Sequence, residues 1–159
     1  MSHRIALFAE QDEVGAAEIT DLWKRETGMP DDEVARRLHE VLFVALLDAE
    51  LIGISSTFLL RNDRLRMDLW HYRVYVVEAH RRGHAALDLM QHGLQHLEEQ
   101  FTSGRDRRAA GVMVEVEGNE LKALNLAVWS RTDLAFVGEN DRGWPLRVRY
   151  FPGALAPEP

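Results

Sequence analysis

The residues whose types and spacing point most clearly to chemistry lie at 74–87, where the sequence reads VYVVEAHRRGHAAL. An apolar, strand-like run passes there through a basic turn into a run typical of a helix. Amides at the start of a helix lack intrahelical partners, so together with the helix dipole they attract anions. Arg81 and Arg82 add positive charge, and Gly83 lets a ligand approach the backbone closely. The segment predicts a site for a phosphate or pyrophosphate group, with a capped turn carrying solvated arginines as the alternative interpretation.

A second pattern is a stripe of four side chains spaced four residues apart, His84, Asp88, His92 and His96. Histidines at this spacing share one face of a helix and are a known geometry for metal ligands. The stripe lies outside the apolar seam of the predicted helix, and the sequence contains neither a cysteine nor an H-E-x-x-H motif. We therefore predict a solvated helix face and no metal site.

The overall composition narrows the choice of partners. The 159 residues include 26 acidic and 19 basic side chains, which give a formal net charge of -7. Proteins that bind nucleic acid by neutralising phosphates need a basic surface, so we predict no nucleic acid partner and favour a cationic or amine-bearing molecule. Because the sequence contains no cysteine, disulfides, thiolate metal sites and cysteine nucleophiles are excluded.

The start of the sequence has one short apolar run, residues 5–9, before Glu10 and Asp12. This run is too short for the core of a signal peptide, and a membrane-spanning helix needs about 20 apolar residues. We therefore expect no membrane association and a cytoplasmic location.

Several elements must position these residues, and hydrophobic periodicity predicts them in the order β, α, α, β, β, β, α, β, α, β, β. This order is a mixed α/β plan. It predicts one domain over residues 1–153, followed by a loose tail at 154–159. The predicted segments are, in sequence order, 4–9, 14–27, 30–39, 41–47, 51–60, 67–77, 85–101, 111–116, 120–130, 134–137 and 146–151.

The order of these elements and the basic turn resemble the GNAT family, the acetyl-CoA-dependent N-acetyltransferases. The family's strand often ends in V-x-P-x-x-R, which fits Val76, Glu78 and Arg81, with Glu78 in place of the proline. Its pyrophosphate motif, Q/R-x-x-G-x-G/A, falls on residues 81–86, where His84 stands in place of the first glycine.

A second register of the same motif stays open. A shift by one residue places His80, Gly83 and Ala85 on the pattern. We prefer the first register because it also satisfies the spacing of the strand motif.

The resemblance covers most of the chain and implies an α/β (α+β) fold. It has a mixed, mostly antiparallel central sheet of about six to seven strands flanked by about four helices, with a splay between the fourth and fifth strands. The implied function is transfer of acetyl from acetyl-CoA directly to a primary amine of a small molecule or protein. The alternative is an acyl-CoA-binding or interaction module of the same fold without turnover. A homodimer is compatible with either.

The resemblance also implies how acetyl-CoA is held. The pantetheine arm runs beside the backbone of residues 74–76, and the pyrophosphate lies on the amides of residues 82–87. An asparagine after the fifth strand contacts the arm, and either of two positions fits. The implied cofactor-binding residues are Val74, Tyr75, Val76, Arg81, Arg82, Gly83, His84, Ala85, Ala86, Leu87, Asn119 and Asn125.

The family commonly uses a base on its fourth strand and a tyrosine in its last helix as general acid. Counting back from Phe136, which resembles the aromatic of the family's closing G-F pair, the counterpart of that tyrosine is Arg131. The resemblance therefore implies that the usual acid is absent.

Candidates for the base come from the fourth predicted strand, where alternate residues share a face. Asp68, Trp70 and Tyr72 share one face, and Leu69, His71 and Arg73 share the other. Trp70 and Tyr72 fall at the family's usual active-site positions, but a β-bulge would expose His71 instead. Near the end of the fifth strand, Glu115 and Glu117 are alternative candidates for this role. The candidate catalytic residues are Tyr72, His71 and Glu115.

Overall fold

The computed structural model describes residues 2–117 and 125–159. Within them the chain forms one mixed sheet of eight strands and three α-helices, which confirms the predicted fold class. None of the described helices is both long and apolar enough to cross a membrane. The helices are α1 (Ala16–Thr27), α2 (Asp31–Leu38) and α3 (Ala85–Thr102). The strands are β1 (Arg4–Leu7), β2 (Val41–Leu47), β3 (Glu50–Asn62), β4 (Met67–Val76), β5 (Gly111–Glu115), β6 (Val128–Trp129), β7 (Leu134–Glu139) and β8 (Pro145–Tyr150).

The strands follow the order β1-β2-β3-β4-β5-β8-β7-β6 across the sheet. The β4–β5 pair is parallel, whereas β1–β2, β2–β3, β5–β8, β6–β7 and β7–β8 are antiparallel. The parallel ladder joins Trp70 with Val112 and His71 with Met113, and the two strands then splay. This confirms the predicted splay between the fourth and fifth strands. The sheet has eight strands, one more than the six to seven that we expected.

The chain divides into two compact units, and each has a hydrophobic core cluster of its own. The first unit comprises Met1–Thr57 and Val74–Gly93, and the second comprises Phe58–Arg73 and Leu94–Pro159. The strand β4 and the helix α3 each contribute residues to both units.

The core of the first unit is built by the apolar face of α1 together with β2 and β3. The helix begins where the Gly15 amide donates a hydrogen bond to the Glu18 carboxylate at 2.7 Å. It ends at Gly28, whose φ of 65° is the left-handed conformation that glycine adopts easily. Its buried side chains recur at helical spacing: Ile19, Leu22 and Trp23.

The core cluster of the second unit lies among β4, β5 and β8. In the same unit, the aromatic rings of Phe101 and Phe151 contact each other with their centroids 5.2 Å apart. The pairing register of these strands decides which of their residues are buried, because alternate side chains point to opposite faces. The clustered strand residues are Leu69, Met113, Leu146 and Val148.

The helix predicted over residues 120–130 is wrong in its described part. Residues 118–124 lie outside the described chain, but Val128–Trp129 form the edge strand β6, which pairs with the start of β7. The turn is closed by the Asp133 amide, which donates to the Trp129 carbonyl at 2.7 Å, and Asp133 has a φ of 55°. Pairing with β7 satisfies the backbone groups that helical hydrogen bonds would otherwise have used.

Candidate cofactor and catalytic sites

The basic turn lies in the first unit, between the end of β4 and the start of α3. Val77 continues the path of the strand, since its amide donates to the Ile52 carbonyl at 2.9 Å. A short 3-10 helix over Glu78–His80 follows, and the Gly83 amide donates to the His80 carbonyl at 3.1 Å. The structure therefore brings the predicted residues 74–87 together as a strand, a hydrogen-bonded turn and a helix start.

Arg81 is held against the end of β4. Its Nε donates to the Val76 carbonyl at 3.0 Å, and a terminal nitrogen donates to the Tyr75 hydroxyl at 3.2 Å. The Tyr75 hydroxyl in turn donates to the Glu26 carboxylate of α1 at 3.3 Å. Arg81 thus shapes the turn through its own contacts, whereas Arg82 is exposed and presents its charge to solvent.

The start of α3 presents amides that precede the hydrogen-bonded part of the helix. The Asp88 amide donates to the His84 carbonyl at 2.9 Å, so the amides of residues 85–87 lie ahead of this bond. Ala85 is 2% exposed, which brings the backbone of the first turn close against the core. His84 is exposed, so the turn accommodates a side chain at the glycine position of the motif. An anion is the ligand that this arrangement of dipoles favours.

In the second unit, His71 lies on β4 at the second of the two residues that pair with β5. Its ring contacts Phe58, with the ring centroids 5.1 Å apart. The Arg73 guanidinium lies 4.4 Å from the centroid of the same Phe58 ring. The His71 side chain is half-buried, and its Nε2 atom is enclosed without a hydrogen-bond partner among the described residues. An enclosed polar nitrogen without a partner lowers the stability of the folded chain.

Three influences act on the pKa of His71. Burial is the largest, and it lowers the pKa below the ordinary value of 6.5 because a charged imidazolium loses its hydration. The negative charge of Glu115 raises the pKa, and the positive charge of Arg73 lowers it. The lowered pKa leaves His71 neutral at pH 7 and able to accept a proton.

This lowered pKa predicts a pH-dependent contribution to stability. The unfolded chain takes up a proton at His71 more readily than the folded chain, so the free energy of unfolding decreases as pH falls below about 6.5. We expect the free energy of unfolding of the wild type, relative to that of His71→Gln, to fall between pH 7.5 and pH 5. Urea denaturation of both proteins at each pH measures this difference, and a constant difference would contradict the lowered pKa.

The other predicted catalytic residues have different surroundings. Tyr72 is only 2% exposed and belongs to the core. Glu115, at the end of β5, and Glu117 just beyond it are both exposed. Trp70 is half-buried, and the Arg108 guanidinium lies 5.2 Å from its ring centroid. Of the predicted catalytic set, the structure therefore couples His71 and Glu115 electrostatically and encloses Tyr72.

The residues expected after the fifth strand are only partly described. Asn119 lies outside the described residues, and Asn125 is exposed ahead of β6. Arg131, the counterpart of the family's tyrosine, is exposed in the turn between β6 and β7. In the described part of this segment, no tyrosine side chain stands where the resemblance would place the acid.

The histidine stripe on α3 makes contacts within the first unit. The Asp88 carboxylate lies 2.6 Å from His3 Nε2, which joins the start of the chain to α3. His92 donates from Nδ1 to the Asp88 carbonyl at 2.8 Å. Among the residues that the structure describes, no group of three or more histidine, cysteine, aspartate or glutamate side chains is arranged to hold a metal ion.

Two neighbours of the candidate residues were not predicted from the sequence: Phe58, which contacts His71, and Glu26, which accepts a hydrogen bond from Tyr75. A signal for Phe58 was available, since an aromatic residue near the end of the predicted strand 51–60 precedes the long strand 67–77. Neighbouring strands bring such aromatic residues into cross-strand pairs. Glu26 lies at the end of a predicted helix, and nothing in its local sequence indicates a partner on β4.

Known proteins resemble this chain in fold and not in sequence. No protein-family model matches the sequence, and no curated protein sequence matches it. The acetyltransferase of the GNAT family from Streptococcus pneumoniae gives a TM-score of 0.65 at 14% identity, over 95% of this chain and 100% of that chain. NAA60 from Arabidopsis thaliana, solved in complex with acetyl-CoA, gives 0.64 at 13% identity, over 94% and 100%. Naa50 from Arabidopsis thaliana, in complex with the bisubstrate analogue CoA-Ac-MVNAL, gives 0.61 at 12% identity, over 95% and 100%.

These similarities extend over nearly the whole chain, but at such low sequence identities they show the fold alone. They agree with the mixed sheet and with the splay that follows the parallel β4–β5 pair. The chain has the fold of the GNAT acetyltransferases, as the resemblance in its sequence predicted.

Proposed function

We propose that the chain is an N-acetyltransferase that moves acetyl from acetyl-CoA directly to a primary amine of a small molecule or protein. The observation that carries the proposal is the basic strand-to-helix turn of the first unit, in a fold whose solved examples include complexes with acetyl-CoA. The turn combines an exposed arginine, exposed loop backbone and the amides at the start of α3 in one continuous segment. This combination suits a pyrophosphate such as that of CoA.

Within this proposal the residues of the turn have separate roles. The backbone of residues 74–76 lies beside the pantetheine arm, and the amides of residues 82–87 bind the pyrophosphate. Arg81 holds the turn in shape through Val76 and Tyr75, and Arg82 supplies charge directly. Either Asn119 or Asn125 is the proposed asparagine contact to the cofactor arm.

The proposed reaction needs few catalytic groups from the protein. A thioester is already activated, so catalysis consists of orienting a neutral amine, stabilising the oxyanion and protonating the departing thiolate. The sequence has no cysteine, so no acetyl-cysteine intermediate can form and transfer is direct. The net charge of -7 favours an acceptor that arrives as a cation.

We expect acetyl-CoA to raise the melting temperature of the wild-type protein, because a ligand that binds the folded state stabilises it by mass action. Arg82→Glu is expected to weaken acetyl-CoA binding about tenfold, since an exposed cation beside the pyrophosphate becomes an anion. The double variant Arg81→Glu with Arg82→Glu is expected to abolish the shift. Thermal unfolding followed over a series of acetyl-CoA concentrations measures both effects.

Arg36→Glu is the matched control for these variants. Arg36 is an exposed arginine on α2 in the same unit, and the substitution makes the same change of charge. It should keep the full thermal shift. A full shift in the double variant would contradict the placement of the pyrophosphate in the turn.

The competing function is an acyl-CoA-binding or interaction module of the same fold without turnover. The observation that favours it is Arg131, which is exposed in a turn at the position where the family's tyrosine acid is expected. A thiol-release assay with acetyl-CoA and a panel of amines separates the two functions. Amine-dependent release of CoA supports the transferase, whereas tight binding of acetyl-CoA without release supports the module.

A further inference from the structure

We propose that His3 is a positioning residue for cofactor binding. Its hydrogen bond to Asp88 offsets the charge of a carboxylate in the first turn of α3, so that this turn can bind the pyrophosphate of acetyl-CoA. The proposal rests on the acetyl-CoA binding of the proposed function and adds a residue from the segment ahead of β1. Its geometric basis is the 2.6 Å contact between His3 Nε2 and the Asp88 carboxylate.

The first turn of α3 combines two features that oppose each other. The amides of residues 85–87 lie ahead of the first helical hydrogen bond, and with the helix dipole they favour an anion. Asp88 is an acidic side chain in this same turn. Because like charges repel, an ionised carboxylate here weakens the attraction of the helix start for a second anion. Binding of a pyrophosphate at this helix is therefore favoured when the charge of Asp88 is offset.

His3 contacts this carboxylate directly. An ionised carboxylate can only accept hydrogen bonds, so the His3 imidazole donates from Nε2 to Asp88. A hydrogen bond to an ionised acceptor is stronger than one between neutral groups. The two side chains are 19% and 36% exposed, so solvent screens the contact only in part. The contact therefore offsets part of the negative charge that a ligand at the turn would meet.

His3 also lies beside the basic turn itself. It lines a cavity of about 150 Å³ together with residues of β2, β3 and the turn. From the turn and the start of α3, the lining includes His80, Gly83 and Ala85. These residues border or belong to the segment to which the proposed function assigns the pyrophosphate, so a change at His3 acts next to that ligand.

The sheet fixes the position of His3. The strand β1 begins at the next residue, and its antiparallel register with β2 joins Arg4 to Leu46. His3 therefore extends from a hydrogen-bonded strand, and its imidazole reaches α3 from a fixed point.

The sign of the effect of Asp88→Asn tests the proposal. Removing the carboxylate is expected to tighten acetyl-CoA binding about threefold, the size of effect that one charge has at a helix start. His3→Ala is expected to weaken binding about threefold, because the carboxylate is then no longer offset. A purely structural contact is broken by either substitution and would weaken binding in both variants. Isothermal titration calorimetry with acetyl-CoA measures the dissociation constants.

The double variant His3→Ala with Asp88→Asn tests whether the two residues act together. Without the carboxylate there is no charge for His3 to offset, so the double variant is expected to bind acetyl-CoA as tightly as Asp88→Asn alone. A coupling of this kind is what a double-mutant cycle isolates.

Two control variants accompany these. His3→Gln keeps an N–H donor at a similar reach from the backbone and is expected to bind acetyl-CoA within about twofold of the wild type. Arg4→Ala removes an exposed ion pair between the neighbouring residue and Glu13, and this pair does not involve Asp88. It should leave the affinity unchanged, which separates the role of His3 from a general loosening of the segment.

Turnover and a smaller ligand give further measurements. In the thiol-release assay, His3→Ala is expected to raise KM for acetyl-CoA about threefold and to leave kcat unchanged, because His3 acts on binding and not on the reacting atoms. Inorganic pyrophosphate, titrated by NMR with the amide signals of residues 85–87, should rank the variants in the same order. This ranking would assign the effect to the anion site and not to the pantetheine arm.

The outcomes separate this proposal from the proposed function. No binding of acetyl-CoA by the wild type overturns both. Binding without release of CoA with any amine overturns the transferase alone, since calorimetry still decides the role of His3. That role is overturned alone if the wild type binds acetyl-CoA and Asp88→Asn binds it more weakly, or if the loss in His3→Ala persists in the double variant. A fall in kcat at unchanged KM, or a loss that inorganic pyrophosphate does not share, overturns it as well.

Discussion

Gly111→Ala is expected to lower the free energy of unfolding by about 3 kcal/mol, which for a chain of this size lowers the melting temperature by about 6–12 °C. Gly111 begins β5 and pairs with Tyr150 of β8. A Cβ atom at this position would lie 2.9 Å from the Tyr150 Cα atom, and it would also overlap the Arg149 carbonyl oxygen. Both are backbone atoms, so no side-chain rotation relieves the contact and the two strands must move apart.

The matched control is Gly83→Ala. Its new Cβ atom would meet nothing closer than the His80 carbonyl oxygen at 3.4 Å, which is ordinary van der Waals contact. Urea denaturation should therefore show a change below about 1 kcal/mol for the control. If Gly111→Ala lowers the free energy of unfolding by no more than Gly83→Ala does, the close approach of β5 and β8 is contradicted.

Gly111→Ala is also expected to lower turnover, because β5 carries residues of the candidate catalytic site. Met113 pairs with His71, and Glu115 acts on the His71 imidazole. A displacement of β5 moves both relative to β4 within the second unit. Activity and stability should therefore fall together in Gly111→Ala.

The segment from β4 to α3 could be predicted from the sequence because its information is local. A run of valines and aromatics specifies the strand, and helical periodicity specifies the helix. The path of the turn also depends on hydrogen bonds between residues close in sequence, such as the one from the Gly83 amide to the His80 carbonyl. The predicted anion site and the observed turn consequently consist of the same residues.

The surroundings of His71 could not be predicted, because they depend on strands that are distant in sequence. Phe58 comes from β3 and Glu115 from β5, and only the sheet order and register bring both to one imidazole. Alternation assigns a side chain to a face of a strand, but it does not identify the neighbours across that face. The strand Val128–Trp129 was missed for the same reason, since only its pairing with β7 distinguishes it from the end of a helix.

A charged residue in the core is a further feature that composition and pattern do not reveal. Arg147 on β8 is 2% exposed. Its two terminal nitrogens donate to the carbonyl oxygens of Leu134 at 3.1 Å and Leu126 at 2.7 Å. The guanidinium also lies 4.1 Å from the centroid of the Trp129 ring. One side chain thus joins β8 to β7, to β6 and to the segment that precedes β6, which includes the proposed cofactor contact Asn125.

Arg147→Met is expected to lower the free energy of unfolding by about 3 kcal/mol, and Arg147→Lys by more. Enclosing the guanidinium costs several kcal/mol. Two charged hydrogen bonds contribute about 1.5–3 kcal/mol each, and a desolvated cation–π contact contributes about 2 kcal/mol, so the contacts together exceed the cost. Methionine removes the contacts and the cost together. Lysine keeps an enclosed charge but lacks the planar fork that reaches two carbonyls at once.

Arg149→Lys is the matched control for this pair of variants. Arg149 lies on the same strand, its side chain is 25% exposed, and it forms an ion pair with Glu98 at 2.7 Å. Its replacement by lysine is expected to cost less than about 1 kcal/mol, because partly exposed ion pairs contribute little. Urea denaturation ranks all three variants. If Arg147→Lys is more stable than Arg147→Met, the positive charge itself stabilises the core and the forked geometry does not matter.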